Sequence, residues 1–340
     1  MKLYINFYFY EKMFLWIGND METRKVQVTG KSTYILTLPK KWVIESLMRA
    51  GSSVSLTIQE DGSLVITPPA LRKATSLKKL IMKDDLDELK RDMIGSYIMG
   101  SCQFLEISGF RDKIEIKNEI RELCKILIGY EIVEVDTSRI LIQDILDTDE
   151  FTIEAGFKRL SSLVFLMFND LVENLRTADS EAITEIMARD EDVDKIFFLI
   201  SKLFTTRLNL KKASKNDRLS LIEAFYYRLA ASELESVGDL IVKIARDLNR
   251  IDFSKEEVEK LLEIGRFARQ FVQNSVSSLR LSDIKLANDV LKEEEIFENR
   301  LFALNESTSE PALEIIFDIF GRIKNHAGTI AELTIDLSQL

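Results

Sequence analysis

Histidine occurs once in this chain, at His326, and cysteine twice, at Cys102 and Cys124. One imidazole excludes zinc sites and catalytic triads that draw on several. The cysteines show no CxxC or other metal-like spacing and stand among apolar residues. They are expected to be reduced, buried small hydrophobes of a cytoplasmic protein. Only 4 prolines and 13 glycines punctuate 340 residues, so long stretches are free to run as helix and a mainly α chain is predicted. Long apolar runs are missing too. Residues 1–20 are aromatic-rich but broken by Glu11 and Lys12, too short to span a bilayer and followed by no small-residue cleavage site. They are expected to be a disordered extension. Positive charge is also short, with 46 Lys and Arg against 56 Asp and Glu, which speaks against nucleic acid coating the whole length.

What positive charge exists is concentrated at the amino end. Arg24, Lys25, Lys31, Lys40, Lys41 and Arg49 face only Glu22 and Glu45 before Gly51. Residues 22–68 also carry a compact pattern. Val26 and Val28 alternate with polar residues, Gly30-Lys31 is a turn signal, and Tyr34 to Leu38 is a second apolar strand. Pro39 ends it and can enter the first turn of a short helix bearing Trp42, Val43, Ser46 and Leu47, for which Gly51 suits the C′ position. Val54, Leu56 and Ile58, the Asp61-Gly62 turn, and Leu64 to Ile66 complete a ββαββ order. So small a piece buries little apolar surface alone, and pairing two copies would close its edges and double its basic residues on one face.

The string RKVQVTGKSTYILTLPKKWVIESL, then AGSSVSL and EDGSLVITP, resembles the AbrB/SpoVT/MazE swapped-hairpin family. The resemblance implies an interlocked homodimer that binds DNA. It makes Arg24, Lys25, Lys31, Lys40 and Lys41 candidate phosphate contacts and Ser32 and Thr33 candidate positioning donors. The alternative is that these lysines only keep a dimerisation module soluble.

Residues 70–150 read as a small α+β connector. A helical pattern spans about Leu86 to Met99, and a strand lies around Phe104 to Ile107. A helix bearing Ile116, Ile120, Leu123, Cys124 and Leu127 stops at Gly129, and two β runs flank Asp136-Thr137-Ser138. No metal, nucleotide or nucleophile motif stands out there.

From residue 151 onward the spacing is helical throughout. A first stripe runs Phe157, Leu160, Val164, Met167, Phe168 and Leu171. Asp179 or Ser180 can cap a second helix, with stripe Ile183, Ile186, Asp190, Val193, Phe197, Ile200 and Phe204. Ser214-x-x-Asp217 resembles a capping box before a third, bearing Leu234, Val237, Ile241, Ile244 and Leu248. The unit then recurs over 254–340: Ser254-x-x-Glu257, Ser282-Asp283 and Pro311 open three more helices, the last bearing Ile315, Ile319, Ile323, Ile330 and Leu333. Two three-helix bundles, 151–250 and 254–340, are expected.

Asp190 and Asp194, four apart, are neighbours on one helical face, and Glu235 and Asp239 repeat the spacing on the next helix. Such pairs ordinarily line a solvated face. What favours a site is that Asp190 occupies a stripe position and that a second helix repeats the pair. If the helices are antiparallel, four acids converge, and a divalent cation would offset their repulsion. Gly238 beside them would allow close approach to the backbone.

The segments LESVGDLIVKIARDL and RDEDVDKIFFLI resemble the PhoU family of phosphate-uptake regulators. The order AbrB-like then PhoU-like resembles archaeal members of that group. The resemblance implies a non-enzymatic regulator working with components of the phosphate ABC transporter or its signalling partners. It also implies a cluster of Asp190, Asp194, Glu235 and Asp239 able to take iron, zinc, manganese or magnesium. In the second repeat Glu294 and Glu298 remain, but Gly321 and Asn325 stand where Glu and Asp are expected, so that copy is degenerate; His326 matches a histidine frequent in the family. Two further readings follow from the same residues. One is an adaptor whose head only dimerises. The other is a ferritin-like metalloenzyme, against which the absence of a Glu-x-x-His pattern speaks.

Overall fold

The computed structural model describes residues 22–30, 32–58, 62–68, 76–83, 85–100, 102–110, 113–177, 179–210, 218–248, 253–308 and 310–340. The expected extension at 1–20, Lys31, Asp61 and the Ser214/Asp217 box lie outside them. The chain divides into two compact units, Met1–Ala74 and Thr75–Leu340.

In the first unit, strand β1 (Gln27–Thr29) pairs antiparallel with β2 (Thr33–Ile35), and β3 (Ser55–Ile58) with β4 (Leu64–Thr67). Gly30 (φ 66°) and Gly62 (φ 78°) lie in the left-handed region that these tight reversals demand. Between the hairpins, helix α1 (Lys40–Glu45) starts directly after Pro39. The ββαββ order is therefore present, with two adjustments. β2 ends at Ile35, which pairs with Gln27, the residue at which β1 begins. α1 ends at Glu45 with Ser46 as its C-cap and Leu47 turning to φ 51°, so Gly51 serves a later turn and not the helix end. No described residue of this unit is buried.

The second unit opens with a four-stranded sheet carrying helices. β5 (Leu77–Ile81), α2 (Leu86–Met99), β6 (Phe104–Ser108), α3 (Ile114–Ile126), β7 (Tyr130–Val135) and β8 (Arg139–Asp144) follow in sequence, and the strands lie in the order β5-β6-β8-β7. β5 and β6 are parallel, while β8 is antiparallel to both its neighbours. β5 went unanticipated because its alternation is inverted. Leu77 and Ile81 are exposed, while Lys78 turns inward and donates to Ser96 Oγ at 2.7 Å. Leu105, Ile107, Ile140 and Ile142 from the sheet pack with Met93, Tyr97, Ile120 and Leu123 from α2 and α3.

The remainder is helical: α4 (Ile153–Asn174), α5 (Ser180–Leu210), α6 (Leu221–Leu248), α7 (Lys255–Leu281), α8 (Ile284–Glu306) and α9 (Pro311–Leu337). Their starts follow capping chemistry. Asp179 accepts from the Glu181 amide, Asp283 from Leu286, and Ser254 and Glu257 form a reciprocal box. α6 opens on a box that was not anticipated, Ser220 with Glu223. Helices α4–α6 pack together as one three-helix group and α7–α9 as another. The groups join where α6 meets α9 and α4 meets α7, and one hydrophobic core runs through all six helices. In α9 the inward position near the start belongs to Ile316, and Ile315 faces solvent.

The α+β segment is no free connector. α2 and α3 lie on α5, whose Phe198 packs into the sheet core. Among the described residues no helix is long and apolar enough to cross a membrane.

Candidate functional site

On α5, Ile183, Ile186, Val193 and Ile200 are buried, and Asp190 falls in the same run, half-buried, with Asp194 one turn further. α6 packs along α5 with Leu234, Val237 and Ile241 inward. Glu235 is half-buried beside them, and Asp239 reaches the exposed edge. The seam thus draws its acids from positions that flank apolar stripes, where hydration is thinned.

Their titration reports that placement. Burial, then the charges of Asp239 and Glu191, push Asp190 up to about 6 against the relief given by Arg246. Burial and the charges of Asp190, Asp239 and Glu191 push Asp194 to about 7. Glu235 rises to about 8 through burial and the charges of Asp239, Asp194 and Asp190. Asp239 is raised by burial and eased by Arg246. The charges of Asp190, Asp194 and Asp239 therefore act repulsively on their neighbours along the seam. Ser236 Oγ donates to Glu235 at 3.4 Å. Among the described residues, none of the four carboxylates has a lysine or arginine within ion-pair distance. The cations of α5 are engaged elsewhere, Arg189 with Asp170 and Glu185, Lys195 with Asp192.

An all-carboxylate donor set suits a hard divalent cation. As placed, though, these side chains do not close around a common point: among the described residues no group of three or more His, Cys, Asp and Glu is arranged to hold a metal ion. Gly238 does not open the backbone to a ligand either. A Cβ there would lie 3.5 Å from Val193 and 3.8 Å from Val164, so its open side is filled by neighbouring helices.

In the second repeat one of the two glutamates is neutralised by its own chain. Lys324 of α9, almost fully buried, donates to Glu298 of α8 at 2.7 Å. The Glu294 carboxylate lies against Gly328, where a Cβ would come within 2.2 Å of Oε1. Glu298 is therefore paired within its own repeat, whereas Glu294 is packed against the α9 backbone at Gly328. His326 turns instead to the first repeat, its Nδ1 2.7 Å from Glu233 on α6. Glu233 and Lys324 escaped sequence reasoning because each is defined by a partner roughly 26 to 93 residues away.

In the first unit, Lys25, Ser32, Thr33, Lys40 and Lys41 are all exposed, and Arg24 is exposed while pairing with Glu22. Leu38, Pro39, Trp42 and Ile66 line a cleft there, with Lys41, Glu22 and Glu45 at its edge.

Residues 157–248, which contain all four acids of the seam, match the family described as PhoU domain. Residues 27–74 match the family described as antidote-toxin recognition MazE, bacterial antitoxin. Among solved structures, PhoU from Pseudomonas aeruginosa is 22% identical, over 55% of this chain and 95% of its own, with a TM-score of 0.49. The phosphate transport system regulatory protein PhoU from Streptococcus pneumoniae is 17% identical, over 55% of this chain and 93% of its own, with a TM-score of 0.46. Among curated proteins none is similar enough to be matched.

Proposed function

From a chain that carries a PhoU domain in its helical body and a MazE/AbrB-like module at its amino end, we propose a cytoplasmic, non-enzymatic regulator of phosphate uptake. Its amino-terminal module binds duplex DNA as a homodimer. Its helical body senses or docks a component of the phosphate transporter or an associated signalling protein.

The observation that carries this reading is the state of the module. It buries none of its described residues, and Val26, Val28, Tyr34, Leu56 and Ile58 are all more than 60% exposed. An isolated sheet with that much apolar surface is unstable in water, and a second copy supplies the missing layer. Joining two copies places Lys25, Lys40 and Lys41 twice about a two-fold axis, the symmetry of a palindromic duplex site. Thr33 at the start of β2 and Ser32 before it offer short donors for backbone phosphates.

For the body, we propose that a divalent or iron-type cation is the seam's ligand, gathered by Asp190, Asp194, Glu235 and Asp239. The raised pKa values favour it, as does the absence, among the described residues, of a lysine or arginine within ion-pair distance of the four carboxylates. Closing around the ion would require those side chains to move inward from where they stand. Coupling to DNA then follows from linkage: a ligand that prefers one arrangement of the body changes DNA affinity by the same factor that DNA changes its own.

The test is a mobility-shift assay of the full chain on duplexes from phosphate-transport promoters, with and without manganese and phosphate. Lys40→Glu/Lys41→Glu is expected to lose DNA binding by at least about 100-fold and to flatten its salt dependence. Unchanged affinity in that variant would leave the adaptor reading, in which the module only dimerises.

A further inference from the structure

Helix α4 packs against both α6 and α7. Around its amino end, Thr152, Glu154, Ala155 and Lys158, with Tyr227 of α6 and Arg280 of α7, line a cavity of about 250 Å³. Tyr227 is 8% exposed, and its ring meets Phe157 of α4 edge-on with centroids 5.3 Å apart. Among the described residues its hydroxyl has no hydrogen-bond partner, although a buried phenol ordinarily finds one. Burial and the charges of Glu154 and Glu223 raise its pKa, and Arg280 eases it. The phenol thus stays a donor. Glu223 is already engaged, accepting from the Ser220 amide at 2.6 Å.

The first turn of α4 adds donors to the same place. Thr152 Oγ1 accepts from the Ala155 amide at 3.1 Å. Among the described residues the Ile153 and Glu154 amides have no acceptor, and they form the positive end of a 22-residue helix. Lys158 and Arg280 have no ion-pair partner among the described residues. Glu154 is the one acid in the lining.

Exposed cations by themselves indicate only solvation. A water molecule would answer the hydroxyl but leave two cations and a helix start facing no negative charge. An oxyanion answers them together, and a cavity of this size suits a small one. Glu154 narrows the choice. It repels a fully ionised oxyanion such as sulfate, whereas an oxyanion that keeps a proton can donate to it. We propose that this cavity binds a free hydrogen phosphate ion. Arg280, Lys158, the Tyr227 hydroxyl and the first-turn amides donate to its oxygens, and Glu154 accepts from its hydroxyl. The site shares no residue with the acidic seam or the amino-terminal module, so its test and the mobility-shift assay are read separately.

Titration calorimetry of the full chain, with a chelator present so that no metal bridges the ion, tests this. Inorganic phosphate is expected to bind saturably, and sulfate at least about tenfold more weakly. At about pH 8 a phosphate monoester, whose second pKa is about 6, has lost the proton that inorganic phosphate keeps. Adenosine monophosphate should therefore bind no better than sulfate. Arg280→Gln should weaken phosphate by at least about tenfold and Tyr227→Phe by about fivefold, the phenylalanine preserving the ring contact with Phe157. Glu154→Gln should admit sulfate. No saturable phosphate binding by the unaltered chain would overturn the proposal, as would binding that Arg280→Gln and Tyr227→Phe leave intact. Adenosine monophosphate binding more tightly than phosphate would overturn it too, by making the ligand an ester.

Discussion

Lys202 and Asp144 form a buried ion pair, Nζ to Oδ2 at 2.6 Å, which fastens α5 to the end of β8. Lys202 is 1% exposed, and its ammonium lies 4.1 Å from the centroid of Tyr97 and 5.3 Å from that of Tyr130. Burial pulls its pKa down, against the opposing pull of Asp144. The same helix carries Asp190 and Asp194, so the pair anchors the sheet to the element that builds the acidic seam.

Removing one partner strands the other charge in an apolar setting. Asp144→Ala is expected to lower stability by about 3 kcal/mol, whereas Lys202→Met/Asp144→Leu should recover most of it. Urea denaturation of the three proteins checks this. A double variant no better than Asp144→Ala would mean the pair's worth is not that of a desolvated charge couple.

The acidic seam predicts an inverted pH profile. Asp190, Asp194 and Glu235 have folded-state values near 6, 7 and 8, above the 3.8, 3.8 and 4.5 of free side chains. The native state therefore holds protons that the unfolded chain releases, so this contribution is full at about pH 4 and is lost as pH rises to about 8. Asp194→Asn and Glu235→Gln should each stabilise the protein by about 1–2 kcal/mol at pH 8, the value being discounted for partial exposure, and do little at pH 4. Thermal melts at the two pH values decide it; stabilisation that is equal at both would detach these groups from the seam.

Cation binding acts on the same groups with opposite effect. If Asp190, Asp194, Glu235 and Asp239 gather a divalent ion, manganese at a hundred times its Kd should stabilise the chain by about 2.7 kcal/mol at pH 8. Asp190→Ala/Glu235→Ala should remove that response, and elemental analysis should show the metal in the unaltered protein alone. A melt indifferent to manganese, magnesium, zinc and iron would sink the metal reading and leave the pH profile standing.

The uncovered module predicts its own assembly. The full chain is expected to be a dimer by light scattering, and Val28→Asp/Ile58→Asp to make it a monomer with loss of DNA binding. A dimer that survives both charges would place the contact elsewhere.

Local signals carried much of this protein. The Gly30 and Gly62 turns, the Pro39 helix start, the Ser254/Glu257 box and the α5 and α6 stripes are all decided by neighbours within one or two turns, so they were legible in sequence. β5 was not, because Lys78 shares its inward face with Leu80 and is satisfied by Ser96 from α2, while Leu77 and Ile81 point outward. Nor was the fate of the second repeat, where Lys324 reaches Glu298 from another helix.

By itself, then, the sequence determined the helices, the hairpins, and which acids could meet across a seam, since periodicity and capping depend on near neighbours. Tertiary structure alone decided which charges were answered: Lys202 by Asp144, Glu298 by Lys324, His326 by Glu233, and the seam acids by no described lysine or arginine within ion-pair distance. The physical reason is that desolvation is a property of place. A carboxylate's pKa is set by what packs beside it, and spacing along the chain does not record that.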